Sequence, residues 1–447
     1  MKRRVIFGTI VSGIIILATI MGACAPKAPE VAPPPEKEAP PPEKVEVQPI
    51  KVGVLGPMQF IFGEDMWNAA VLAEEEINEA GGVSVAGVKR PIELVKADSN
   101  EFMSVPDSIA AAEKLIMVDK VDVITGMFRS EAVLAVQDLC MDNKLIFFQA
   151  GAGGPPQIAR VAEDYDRYKY FFRSGSINTG LYSYDLTLYH WTEVIRDELK
   201  DKAGIEKPKV AVLMEATLCT EPSYWSILRD EDRLGIDIVW KGRPSDRATD
   251  LTAELTPIKA AGAQMICTFF SGPAGIVLSK QWGELEIPAA LYGMNMPDQD
   301  IDYWDKTGGM CNYEVGWWAF VPTPVSEKAA PFWEKFVARF DTGPSLGAHT
   351  YDAIMWYVKA VEKAGTVDAD ALIPVLEKTE YDGARGHFKF RTDHDPLYGP
   401  GYLFPFGVQF VNEEIRTVFP WEHKGATFPG TVKYELPPRV IEYWSKK

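Results

Sequence analysis

The sequence is poor in positive charge. Its 447 residues contain 46 Lys and Arg against 63 Asp and Glu, a formal net charge of −17. Without the three basic residues at positions 2–4, the balance is 43 against 63, or −20. So acidic a chain repels polyphosphates and anionic lipids, which argues against nucleic acid as a partner and against adsorption to a membrane surface.

Histidine is scarce as well. The five histidines are His190, His349, His387, His394 and His423, and none forms a His-Glu-x-x-His zinc motif. The sequence Asp393-His394-Asp395 could in principle hold a metal ion, but a polar turn is the preferred interpretation. We therefore assign no catalytic residue, no metal site and no cofactor from the sequence.

The amino end has the pattern of an export signal. Basic residues 2–4 precede an apolar run at 5–20, which is shorter than the roughly 20 residues that a membrane span needs. The following Gly22-Ala23-Cys24 resembles the lipobox of bacterial lipoproteins. The resemblance implies that residues 1–23 are a signal peptide and that Cys24 becomes the lipidated first residue. An ordinary secretory signal that happens to contain a cysteine is the alternative.

Residues 24–49 lack the composition of a folded segment. Positions 25–49 hold nine prolines and no aromatic residue, so this stretch cannot bury enough apolar surface to fold. Proline-rich chain is extended, at about 3 Å per residue. The composition predicts a tether between a membrane anchor and a globular body.

Few cysteines remain after Cys24. The four are Cys140, Cys219, Cys267 and Cys311, which allow three pairings that spacing cannot separate. Cys140 and Cys267 lie in apolar segments, and we expect both to be buried free thiols.

The body, residues 50–447, is too long for one ordinary core, so two domains are expected. Short apolar runs alternate with segments of helical periodicity, which predicts parallel sheets built from right-handed βαβ units. Strands are predicted at 50–55, 92–97, 121–125, 145–149, 210–214, 236–240, 264–270, 289–293, 387–391 and 403–411. Helices are predicted at 64–80, 107–118, 130–141 with Ser130 as N-cap, 222–234, 251–261, 274–285, 326–340, 348–364 and 368–378.

Several stretches resemble the leucine/isoleucine/valine-binding protein family, the type I periplasmic binding proteins that feed ABC importers. They match in order over most of residues 50–411. They are IKVGVLGP at 50–57, EEINEAGGV at 75–83, VDVITG at 121–126, QAGAGGP at 149–155, IKAAGA at 258–263 and YDAI at 351–354.

The resemblance implies an α/β fold of two Rossmann-like lobes with parallel sheets, joined by a three-segment hinge and closing on a ligand. We expect the crossovers near Arg173, Phe320 and residues 383–386. Lobe 1 would then hold residues 50–173 plus 321–383, and lobe 2 residues 174–320 plus 386–447. Open parallel sheets bind ligands beyond the carboxyl ends of their strands, so the loops there are the candidate site.

In lobe 1 the family binds the ligand carboxylate with paired serines at a helix N-terminus, a geometry that suits anions. Here Ser130 remains and Arg129, a forked cationic donor, replaces its partner; a surface ion pair is the alternative role for Arg129. Other lobe 1 candidates are Gln59 and Phe60, in a loop that could equally be a hydrophobic plug, and Ala150, Ala152 and Gly153. The glycines at 151–154 lack the final glycine of a dinucleotide fingerprint, so that interpretation is rejected.

In lobe 2 the candidates are Cys219, Tyr224, Ser271, Gly272 and Asn295. The family's acid for an α-amine is expected where Asn295 stands, with Glu215 or Asp298 as substitutes. Tyr224 and the adjacent Trp225 are expected to offer aromatic surface to the ligand. Trp317 and Trp318 could cap the cleft, although one of two adjacent strand residues normally faces the core.

The resemblance, together with the export signal, implies a solute-binding lipoprotein of an ABC importer, taking a small carboxylate, amino-acid-like or amide-like solute. It would be a monomer outside the cytoplasm, held at the membrane only by its lipid, with the permease as partner. A ligand-sensing receptor domain of the same fold is an alternative. An exported hydrolase is a further, less favoured one.

Overall fold

A computed structural model describes residues 47–175, 184–399, 401–419 and 430–447. Cys24 and most of the expected tether lie outside these ranges, and no structural statement concerns them. Val47–Lys447 forms one compact unit of alternating strands and helices arranged around two large sheets.

The elements follow one another in chain order. The first group is β1 (Ile50–Gly56), α1 (Ile61–Glu79), β2 (Val83–Val85), β3 (Val88–Arg90), β4 (Ile92–Asp98), α2 (Val105–Glu113, continued by a π-helical turn, Lys114–Asp119), β5 (Val123–Gly126), α3 (Ser130–Asp142), β6 (Ile146–Gln149), α4 (Pro155–Glu163), α5 (Tyr165–Tyr168) and β7 (Phe171–Arg173). The second is α6 (Tyr184–Ala203), β8 (Lys209–Met214), α7 (Glu221–Arg229), α8 (Glu231–Leu234), β9 (Asp237–Gly242), α9 (Thr252–Ala260), β10 (Met265–Phe270), α10 (Ala274–Glu284), β11 (Ala290–Asn295, followed by a 3-10 turn, Met296–Gln299), α11 (Tyr303–Thr307) and β12 (Val315–Trp318). The third is α12 (Ala329–Phe340), α13 (Gly347–Ala364), α14 (Ala369–Lys378), β13 (Tyr381–Gly383), β14 (Gly386–Phe388), β15 (Phe406–Val411), β16 (Glu414–Phe419) and α15 (Pro438–Trp444).

The first sheet has five parallel strands in the order β4-β1-β5-β6-β7. Most residues of its central strands are apolar because helices cover the sheet; Val52, Val54 and Leu55 of β1 are all buried. Helices α1 and α13 pack on each other and on this sheet. We call the sheet and its helices the first lobe. Its strand order reverses between β1 and β5, the point where such sheets bind ligands.

The second sheet has seven strands in the order β16-β15-β12-β11-β10-β8-β9. Strands β8 to β12 are parallel and repeat the plan of the first sheet, with the reversal between β8 and β10. The edge differs from the expected all-parallel arrangement, because β15 and β16 form an antiparallel hairpin against β12. We call this sheet and its helices the second lobe, and the predicted two-lobe α/β fold is confirmed.

In the described ranges, the chain passes from one lobe to the other after β7, after β12 and near residue 403. Phe388 and Leu403 are buried in the core of the first lobe, whereas Phe404 and Phe406 are buried among residues of the second. The third crossover therefore lies between Leu403 and Phe404, later than the expected 383–386, because β14 pairs with β13 and stays with the first lobe.

Residues 393–395 are confirmed as a polar turn, and this turn packs on β7 beside the first crossover. The His394 ring stacks on Phe172 at 4.0 Å, with its Nδ1 2.9 Å from the Phe171 carbonyl oxygen. Asp395 accepts a hydrogen bond of 3.2 Å from the buried Arg173. These groups are thus engaged in holding the start of the crossover in place.

Candidate functional site

A cleft lies between the lobes where the reversal points of the two sheets face each other. We call it the binding cleft; it encloses about 320 Å³, including the solvent space at its mouth. The first lobe lines it with Phe128, Arg129, Ser130, Glu131, Gly151 and Gly153, and the second with Cys219, Phe269, Ser271, Met294 and Met296. The surface is therefore largely apolar, with the charged groups gathered around Arg129.

Arg129 immediately precedes α3 and reaches across the cleft. Its Nη1 lies 3.0 Å from Oδ2 of Asp246 in the second lobe, and its Nε lies 3.6 Å from Glu131. The side chains of Arg129 and Asp246 are only 14% and 17% exposed. The two roles weighed for Arg129 thus coincide, because it lines the cleft and also forms an ion pair that joins the lobes.

Ser130 is the first residue of α3 rather than its N-cap, so that prediction is wrong. Its Oγ accepts a hydrogen bond of 3.1 Å from the Gly154 N–H. A serine hydroxyl can accept two hydrogen bonds and donate one, so the Ser130 proton can still be donated into the cleft that the residue lines.

The backbone amides just before α3 donate hydrogen bonds to a buried carboxyl group. The N–H groups of Phe128 and Arg129 donate to Glu101 at 3.1 and 2.8 Å. Burial raises the pKa of Glu101 to about 7, although these hydrogen bonds favour the charged form. A bound anion would therefore meet the side chains of Arg129 and Ser130 rather than these two amides.

The loop after β6 contributes backbone atoms to the lining of the binding cleft. Gly151 and Gly153 line the cleft, and a Cβ on Gly151 would lie 2.8 Å from the Phe128 ring. Ala150 and Ala152 are buried, and the Ala150 carbonyl oxygen lies 2.5 Å from Nδ1 of the buried His349. Of the three residues predicted here, only Gly153 lines the cleft, and α4 begins directly after this loop at Pro155.

In the second lobe a buried carboxyl group organises the loops after β8 and β10. Glu215 accepts hydrogen bonds from the Ser271 hydroxyl and from the Gly272 N–H at 3.2 Å. Burial raises the pKa of Glu215, and these hydrogen bonds and the charge of Arg129 oppose the rise. Two acids of the second lobe, Glu215 and Asp246, therefore lie around Arg129, and both already have partners.

Cys219 lines the cleft as an inert thiol. Its Sγ lies 3.3 Å from Thr217 Oγ1 and 4.0 Å from Ser271 Oγ. Burial raises the pKa of this thiol to about 12, so it is a contact surface and not an activated nucleophile. Cys140 and Cys267 are confirmed as buried free thiols.

Gln59, Asn295 and Tyr224 do not line the binding cleft. Gln59 is exposed, and its amide donates to Asp98 at 3.1 Å. The Asn295 amide donates to Glu314 and Tyr303 in a buried polar cluster behind the cleft. Tyr224 is buried under the Arg243 guanidinium, at 4.5 Å.

The expected aromatic caps are also absent from the lining. Trp225 is 60% exposed and donates to Glu221. Trp317 and Trp318 are buried in the hydrophobic cores of the second lobe. Phe60 lies outside the binding cleft, with its ring tilted against that of Phe102 at 4.5 Å between centroids. Gly272 lies on the same side as Phe60.

One Gly-x-Ser-x-Gly sequence occurs, at Gly343-Pro344-Ser345-Leu346-Gly347. A nucleophile elbow stands between a strand and a helix, whereas here α12 precedes the turn and α13 follows it. Ser345 is buried, and its hydroxyl donates to Gln299 at 3.4 Å. The segment is not an elbow. Among the described residues, no group of His, Cys, Asp and Glu could hold a metal ion.

A family model described as "Periplasmic binding protein" matches residues 49–406 of this chain. A curated relative, an amino acid binding protein of Pseudomonas aeruginosa, is 31% identical over 107 residues, which are 23% of this chain and 27% of that protein. The chain thus matches about a quarter of the length of this relative.

Solved structures share the whole fold. One, described as a branched-chain amino acid ABC transporter from Silicibacter pomeroyi, has a TM-score of 0.71 at 19% identity, covering 88% of this chain and 100% of that one. An R. palustris solute-binding protein in complex with benzoate has a TM-score of 0.66 at 18% identity, covering 83% and 95%. The chain therefore belongs to the periplasmic binding protein family and has the two-lobe fold of these solved structures.

Proposed function

We propose that this protein is the extracytoplasmic solute-binding component of an ABC importer and that it has no catalytic activity. The observation that carries the proposal is the binding cleft, which lies at the reversal points of both sheets and is lined by both lobes. A ligand that contacts two lobes at once favours the closed form, and that form can be recognised by a transmembrane permease. The solute and the permease are the two partners, and the protein acts as a monomer.

The chemistry of the lining points to the solute. Arg129 presents a forked cation and Ser130 a hydroxyl donor, while Phe128, Phe269 and Met294 offer apolar surface. This combination suits a small carboxylate with an apolar body. Proteins of the same fold have been described with benzoate and as branched-chain amino acid transporters, which is consistent with this class.

The cleft is less suited to a free α-amino group of the ligand than to a carboxylate. The acid expected near Asn295 is present instead as Glu215 and Asp246, but Ser271 and Arg129 already engage these carboxyl groups. An amine would have to compete with the Ser271 hydroxyl and the Gly272 N–H for Glu215 and leave these donors unpaired, which is costly in a buried site. A carboxylate without an amine, or an amide-like compound, fits better than leucine or valine.

The location belongs to the proposal as well. Cys24 carries the lipid, and residues 24–49 tether the body to the outer face of the membrane. Two acyl signals suffice for stable attachment without a membrane span. Among the described residues, no helix is both long and apolar enough to cross a bilayer.

The test is identification of the natural ligand. Purified protein is denatured, the released small molecules are identified by mass spectrometry, and the candidate is titrated back by calorimetry. We expect one small carboxylate that binds with a stoichiometry near one and survives incubation unchanged. Binding by no carboxylate, or conversion of the compound into products, would contradict the proposal.

A further inference from the structure

A second cavity adjoins the binding cleft, and Ser271 lines both. We call it the side pocket; it measures about 460 Å³, larger than the binding cleft itself. Phe60, Phe62 and Phe102 form its wall in the first lobe, and Ile276, Pro297 and Lys306 lie on the wall of the second. Because both lobes supply a wall, an occupant would contact both in the closed form.

The boundary between the two cavities is aromatic. Phe128, which lines the binding cleft, stacks on Phe62 at 4.8 Å and on Phe102 at 5.6 Å, two rings of the side pocket. Phe102 in turn packs on Phe60 at 4.5 Å. A ring placed in the side pocket would find edges and faces of other rings, an arrangement that adds to the effect of burial alone.

Part of the side-pocket lining is charged. Lys306 forms an ion pair with Asp300, and both line the pocket. An ammonium group has three donors, so Lys306 can serve Asp300 and still donate to a ligand oxygen. The two cavities thus carry one cationic side chain each, Arg129 in the binding cleft and Lys306 in the side pocket.

We propose that the side pocket is a subsite for the distal end of an elongated solute, whose carboxylate lies at Arg129 and whose aromatic or branched apolar group lies among Phe60, Phe62 and Ile276. The inference rests on the proposed function, and it narrows the solute to carboxylates longer than benzoate. Each methylene group of the ligand that is buried between its carboxylate and its distal group should strengthen binding about four-fold. A terminal oxygen would meet Lys306.

The experiment is calorimetric titration with benzoate, 3-phenylpropanoate and 5-phenylpentanoate. We expect the wild-type protein to bind the longest acid at least ten-fold more tightly than benzoate. Ile276→Trp fills the side pocket and should abolish this gain with length. Ile415→Trp is the matched control, because Ile415 is exposed on β16, and it should keep the gain. Should Ile276→Trp fail to fold, Phe60→Ala removes a ring of the same wall and should reduce the gain several-fold.

The outcomes separate the two proposals. Equal affinity for benzoate and the longer acids in wild type, or an undiminished gain in both side-pocket variants, would overturn the subsite while leaving the carboxylate cleft in place. Failure of all three acids to bind the wild-type protein would contradict both the subsite and the proposed carboxylate function.

Discussion

Arg129 of the first lobe and Asp246 of the second form an ion pair, 3.0 Å between Nη1 and Oδ2, across the binding cleft. Both side chains are largely shielded from water, so the pair is screened less than an exposed one. Two consequences follow. The pair stabilises the closed arrangement of the lobes, and a ligand carboxylate must share or displace Asp246 to reach the guanidinium.

Asp246→Asn is expected to shift the ligand-free protein toward an open form. A charge-assisted hydrogen bond of this kind contributes about 1.5–3 kcal/mol, a ten-fold or greater change in the equilibrium between the two forms. Small-angle scattering without ligand should give a larger radius of gyration than wild type. Asp138→Asn is the control, since Asp138 pairs with Arg160 within the first lobe. Identical profiles for Asp246→Asn and wild type would show that the pair does not hold the lobes together.

Glu101 should make stability depend on pH. Burial raises its pKa from 4.5 to about 7, so the folded protein binds this proton more tightly than the unfolded chain does. Its contribution to the free energy of unfolding is fully present below pH 4.5 and is lost as the pH rises through about 7.

Wild type should therefore lose up to about 3 kcal/mol relative to Glu101→Gln between pH 4.5 and 8. Denaturant unfolding at a series of pH values measures this difference. Glu93→Gln, an exposed position on β4, is the control and should run parallel to wild type. A constant difference between wild type and Glu101→Gln across the range would show that Glu101 titrates normally.

Cys24→Ser tests the anchor. Without a thiol there is no site for lipid attachment, so the protein should leave the membrane fraction or remain unprocessed. Fractionation and mass spectrometry of the mature amino end report both. If the variant stays on the membrane and is cut at the same bond, the lipoprotein assignment fails.

Most of the fold follows from short apolar runs that end in turn residues. Residues 50–55, for example, predict β1, which extends one residue further to Gly56. Helix α6 is not among the predicted helices. Its buried residues nevertheless lie on one face at helical spacing: Leu188, Trp191, Ile195 and Leu199. That periodicity could have located it. Of the edge hairpin, only β15 is predicted, as part of a strand at 403–411; β16 is not predicted.

The site was harder to predict because side-chain direction decides it. Along β11 and the following turn, Met294 and Met296 line the cleft, whereas Asn295 between them donates into the buried polar cluster. Side chains alternate along extended chain, and a strand buried on both faces gives no sign of which set meets the ligand. The sequence favours the polar Asn295 as a ligand contact, whereas the structure places Met294 and Met296 in the lining.

Other site residues depend on contacts far apart in sequence. Asp246 pairs with a residue 117 positions earlier, and Glu101 caps the amides of a loop 27 positions later. Nothing local marks either residue as part of the site. Their roles appear only when the loops of both sheets are brought to the same edge.

Calorimetry of the natural carboxylate, or of benzoate, with wild type and Arg129→Ala tests whether Arg129 binds the ligand carboxylate in the cleft. Losing a shielded charge partner should weaken binding by two decades or more. The double variant Arg129→Ala, Asp246→Asn removes repulsion from an unpaired Asp246 and should still bind at least ten-fold more weakly than wild type. Arg160→Ala, which removes an arginine away from the cleft, should bind like wild type. Affinity near wild type in Arg129→Ala would contradict a carboxylate bound at Arg129. Tight binding of leucine or valine by the unmutated protein would contradict the proposed class of ligand.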